Sequence, residues 1–128
     1  MVWCYAFNHD EAIHCFERAL ELDEDLAIAR WGIAYAIGPN YNKTWEMFER
    51  AERERSLATA QGAIVDGLAV ANASATEQQL LKALRTRYPS DPETEDFGPF
   101  NDAFADAMRA IYEAAPSALD VASLFAEA

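Results

Sequence analysis

The sequence predicts an all-α chain built of antiparallel helical hairpins. Three observations carry that expectation. Alanine is very frequent, whereas Val and Ile are few and scattered; Ala is the best helix former and β-branched residues suit sheets. Ala12, Phe16 and Ala19 form a small–large–small stripe at helical spacing, and a second stripe opens at Ile33, Ala34 and Ile37 after the turn Asp23-Glu24-Asp25. Helix start and stop signals then recur with short stretches between them, and helices joined by short connections lie antiparallel.

Met1 to Phe7 are apolar or aromatic throughout and read as the last turns of a first helix. Asn8 followed by Glu11 resembles a capping box and opens a helix over 9–22, with Ala12, Ile13, Phe16, Ala19 and Leu20 on its apolar face. The acidic turn ends it and sets negative charge before the next helix, over 26–37, where the helix dipole favours it. Gly38-Pro39-Asn40 stops that helix, with Gly38 suited to a left-handed cap and Pro39 unable to continue. A long helical region follows over 45–72, read either as one helix or as two with a break around 49–52. Leu57, Gln61, Ile64, Leu68 and Ala71 share one stripe of it. Gly62 and Gly67 would each cost about 1 kcal/mol relative to Ala, so close approach of a neighbouring helix is expected at both. Ser74 with Glu77 is a second capping box, for a helix ending near Tyr88. An acidic, Pro-containing loop leads to a helix over 100–115 that carries Phe100, Phe104, Met108 and Ile111. Pro116-Ser117 breaks it, and a last helix bears Val121, Leu124 and Phe125. The expected count is seven helices in one domain over 1–128.

Composition excludes several functions. The net charge is −12, with seven acids and two bases in 1–42, six and seven in 43–90, and nine and one in 91–128. Phosphate backbones and anionic lipids repel such a surface, so neither nucleic acid nor a membrane is an expected partner. No run of about 18 apolar residues exists, and the N-terminal residues lack the basic region of a signal peptide. Two cysteines, Cys4 and Cys15, are too few for a disulfide framework; reduced, buried thiols and a cytoplasmic location are expected.

No catalytic, metal or cofactor site is expected. Cys4, Cys15, His9 and His14 lack the paired spacing of zinc ligands, and His9 is expected in a solvated turn. A Cys4–His14 pair would need an orienting group and an oxyanion site that nothing marks. Glu17, Glu21 and the 23–25 acids read as a solvated helix end rather than an acid–base pair.

The stripe Ala12, Phe16, Ala19, followed by Ile33-Ala34, resembles the tetratricopeptide repeat, a helical scaffold that binds other proteins. The likeness is closest over 1–37. Glu24 stands where the family often has Pro, and a 34-residue period would place a small residue at Glu46, so 38–128 reads as divergent hairpins. The strings Phe7-Asn8-His9, Ala29 to Ala34 and Gly38 to Asn42, with Arg87-Tyr88-Pro89 and Ala105 to Arg109, are similar to the front of a group of larger bacterial tetratricopeptide proteins. The resemblance implies a right-handed stack of hairpins and a non-enzymatic scaffold that takes an unidentified peptide or protein in a groove. First helices line such grooves, which makes Arg30, Trp31, Tyr35, Tyr41, Asn42 and Lys43 the groove candidates; the alternative for Trp31 and for Trp45 is a core position. The family's clamp for acidic chaperone tails is not expected, because only Arg30 is available and the chain is acidic. Terminal repeats need polar caps. Here the head carries Val2, Trp3, Tyr5 and Phe7 and the tail Val121, Leu124 and Phe125, so self-association as a homodimer through one end is expected, with end helices folding back on themselves as the alternative. A small-ligand accessory domain with an apolar pocket between helices is the third reading.

Overall fold

The computed structural model describes residues 8–115 and 119–127, and every regular element in them is helical. Helix α1 spans His9–Leu22, α2 Ala27–Ile37, α3 Arg50–Leu68, α4 Ala75–Thr86, α5 Gly98–Ala114 and α6 Leu119–Glu127, with one 3-10 turn at Trp45–Met47. The described residues thus hold six α-helices rather than seven; the helix expected over 1–7 lies outside them.

Local signals start and stop these helices much as the residues suggest. The Asn8 side chain accepts a hydrogen bond from the Glu11 N–H at 3.3 Å and caps α1. At α4 the whole box closes: Ser74 Oγ accepts from the Glu77 N–H at 3.2 Å, and the Glu77 carboxylate accepts from the Ser74 N–H at 2.8 Å. That backbone hydrogen bond also holds the Glu77 carboxyl below the ordinary carboxylate range. Helix α2 differs. Leu26 supplies no capping side chain and no acid lies in the first turn, so burial rather than the dipole holds this helix.

Each helix packs on its neighbours in sequence, and α2 also touches α4. Helix α2 is therefore covered on most of its circumference: Ala27, Ala29 and every residue from Trp31 to Ala36 are buried. An all-round apolar helix belongs in a core. The α1–α2 seam is close, as the small residues demand. Ala12 is buried and Ala19 half-buried, and the Phe16 ring occupies the space that a Cβ on Gly32 would need. Ala34 offers its carbonyl to the Tyr88 hydroxyl.

That tyrosine also explains how α2 ends. Gly38 has φ −84° and ψ −170°, extended backbone rather than the expected left-handed cap. A Cβ there would run into the Tyr88 hydroxyl, with Cζ at 2.9 Å and Cε1 at 3.2 Å. The chain then turns through Asn40, whose side-chain oxygen accepts from the N–H groups of Asn42 (2.9 Å) and Lys43 (3.1 Å), an Asx turn. Trp45 follows and is buried, with Phe97 stacked on it at 5.1 Å, Phe48 at 5.2 Å and Tyr88 edge-on at 5.8 Å. Anchoring Phe48 in this cluster leaves Phe48 and Glu49 extended. The helical region expected over 45–72 is thereby split, and its long helix ends at Leu68.

On α3, Leu57 and Ile64 are buried and Leu68 is half-buried, whereas Ala71 is exposed beyond the helix. Gly67 meets Leu81 of α4, whose Cδ2 would lie 2.9 Å from an added Cβ; Gly62 faces open space. The expected close approach therefore holds at Gly67 and fails at Gly62. Phe104, Met108 and Ile111 bury the inner face of α5. Across from it, Val121 and Leu124 of α6 are buried, and Phe125 stacks on Tyr112 at 5.4 Å.

Candidate functional site

Burial decides which of the expected groove residues can reach a ligand. Trp31 is 0% exposed and Tyr35 8%, and their rings stack on each other at 4.9 Å inside the core. They do not line a groove, because α1, α3 and α4 cover the helix that carries them. Arg30 is half-buried, and its guanidinium donates to the Glu24 carbonyl at 3.0 Å and to Asp66 at 3.5 Å, bracing α2 against α3. The other three candidates sit on the Asx turn. Tyr41 stands at its tip, 90% exposed, Asn42 is exposed beside it, and Lys43 pairs with Glu52 at 2.5 Å while its ammonium lies 4.3 Å over the Phe48 ring. The six residues therefore fall into a buried group and a turn group, not one groove.

At the tail the structure matches the folded-back alternative. Val121 and Leu124 are buried and Phe125 is half-buried against α5, so the tail covers its own apolar face. Val2, Trp3, Tyr5 and Phe7 lie outside the described residues, as does Cys4. Cys15 is exposed rather than buried, and His14 beside it pairs with Glu17 at 3.4 Å. His9 is half-buried as the first residue of α1 rather than free in a turn. Among the described residues no three His, Cys, Asp or Glu side chains converge to hold a metal ion, and no helix is long and apolar enough to cross a membrane.

A cleft of about 490 Å³ lies where the middle of α3 meets the end of α4 and the start of α5. Ile64, Val65 and Phe100 give it an apolar surface; Gln61, Arg85 and Ser90 give it polar groups. Gln61 is fixed by donating to the Pro89 carbonyl at 2.7 Å, and Thr86 by donating to the Ala83 carbonyl at 2.7 Å. Tyr88, buried at its floor, has its phenol pushed up from the ordinary tyrosine range by that burial. An apolar surface with a few oriented polar groups, held mostly on helices, suits recognition of another chain.

Two signals in the sequence mark this cleft. Val65 is apolar yet lies off the stripe of Leu57, Gln61, Ile64 and Leu68, and it is 62% exposed. Gln61 is polar yet lies on that stripe. Neither signal says which other helix faces them. No family model, curated protein or solved structure matches this chain.

Proposed function

We propose that this chain is a non-enzymatic interaction module, its helical hairpins stacked in the manner of tetratricopeptide arrays, that takes a peptide or protein segment in the cleft between α3, α4 and α5. The observation that supports the reading is Val65, a large aliphatic side chain left 62% exposed beside Ile64 and Phe100 in a concave surface. Apolar anchors in a pocket rimmed by polar groups dominate most peptide-binding sites. The free, exposed Cys15 thiol suits a reducing compartment such as the cytoplasm.

The test is selection of a displayed random-peptide library on the folded protein, with Val65→Arg as the counter-target. Substitution at so exposed a position changes stability by about 0.5 kcal/mol or less, so lost binding would not reflect unfolding. Peptides that bind the parent chain and fail on Val65→Arg support the cleft. Peptides indifferent to Val65→Arg but lost on Tyr41→Ala would move the site to the Asx turn. No enrichment at all would refute the module.

A further inference from the structure

A second concavity lies apart from that cleft, where the head of α1 meets the end of α2, the Asx turn and the start of α3. It encloses about 350 Å³, a volume in the range of small-molecule sites. Ile13, Ile37 and Phe48 line part of it with apolar surface. The Lys43–Glu52 ion pair stands in its wall, with each side chain 38% exposed. Asp10 and His9 border the same space.

Ser56 also belongs to its wall: this residue lines the pocket and is only 5% exposed. The site therefore offers an ammonium, a carboxylate and a hydroxyl around an aliphatic and aromatic surface.

The complement of that set is a molecule with a carboxylate, an ammonium and an aliphatic group within a few bonds of each other. We infer that this pocket binds a free α-amino acid with a branched aliphatic side chain, its carboxylate accepting from Lys43, its ammonium donating to Glu52 and its side chain lying on Ile13, Ile37 and Phe48. A ligand with one charge would satisfy one member of the ion pair at the expense of the other. A zwitterion inserts between both and leaves the charge count of the wall unchanged. The Ser56 hydroxyl serves either head group, and Asp10 adds an acceptor for the ammonium. Lys43 holds the Glu52 carboxyl below its ordinary range by a hydrogen bond, so Glu52 keeps its charge at neutral pH.

The test is a titration of the intact chain with L-leucine, followed by amide NMR shifts and by calorimetry. L-leucinamide lacks the carboxylate and 4-methylpentanoate lacks the ammonium; each is run beside it. The expected result is saturable shifts centred on Ile13, Lys43 and Ser56, with each truncated probe weaker by about tenfold or more, the worth of one charge-assisted hydrogen bond. Ser56→Ala should weaken L-leucine by about two- to tenfold while leaving the helical circular dichroism intact. Equal binding of all three probes, shifts centred on the Val65 cleft, or no saturation at about 10 mM would overturn the assignment. If Ser56→Ala proves unstable, the three probes on the parent chain still decide.

Discussion

Replacing Gly38 by Ala isolates the physical reason that glycine stands at the end of α2. Its backbone, at φ −84° and ψ −170°, is open to any residue, so alanine there should carry no conformational strain. The added Cβ would instead meet the Tyr88 hydroxyl and lie 2.9 Å from Cζ. Tyr88 is buried, edge-on to Trp45, and cannot swing into water. It must shift, and its hydrogen bond to the Ala34 carbonyl must lengthen or break. Overpacking of a tight core costs about 1–3 kcal/mol, and a buried hydrogen bond left half-made costs about 1–3 kcal/mol more. Gly38→Ala should thus lose about 2–6 kcal/mol, a fall in Tm of about 3–5 °C per kcal/mol for a chain of this length. Urea unfolding followed by circular dichroism measures it, best as a double-mutant cycle with Tyr88→Phe. Without the hydroxyl the worst contact disappears, so Gly38→Ala should cost about 1 kcal/mol in the Tyr88→Phe background, giving a coupling of about 1–5 kcal/mol. If the two substitutions add to within about 0.5 kcal/mol, the contact with Tyr88 is not why glycine is there, and the reasoning fails.

Three further outcomes follow from the same geometry. Gly62→Ala meets nothing and should stabilise by about 0.5–1 kcal/mol through helix propensity, whereas Gly67→Ala runs into Leu81 and should destabilise by about 1–3 kcal/mol; thermal melts of the two should move in opposite directions. Trp31→Ala should lose about 3–5 kcal/mol because the ring is core; a stable, folded Trp31→Ala chain would reopen its assignment to a binding groove. Tyr88 has its phenol raised by burial, so the folded state holds that proton more tightly than the unfolded chain, whose phenol titrates near 10. Its share of stability is whole below about pH 10 and is lost as the pH climbs from there toward the folded-state value, and Tyr88→Phe should flatten the alkaline limb of a stability–pH curve measured by denaturation.

The caps and stripes were readable because they act within one or two turns. Ser74 and Glu77 meet across three residues, and Phe104, Met108 and Ile111 share a face whatever lies opposite. The split of the 45–72 region was only partly legible. Its cause is the burial of Trp45 and Phe48 against Tyr88 and Phe97, some forty to fifty residues away in sequence. Trp31 was open to a groove or a core reading and Tyr35 was placed in the groove, because four-residue spacing says that they share a face and not what covers it.

The cleft shows the same division. Val65 falls off its stripe, which the chain itself reveals; that Phe100 and Arg85 stand opposite depends on how α4 and α5 are laid against α3. The amino-acid order alone determined that this protein is helical, where most helices begin and end, and that α1 and α2 would meet along small residues. Only the tertiary structure decided that Phe16 lies on Gly32, that Gly38 makes room for Tyr88, and which aromatics are hidden. Capping and periodicity are properties of one helix, but burial is a property of the space between several, and that space exists only once distant parts of the chain have come together.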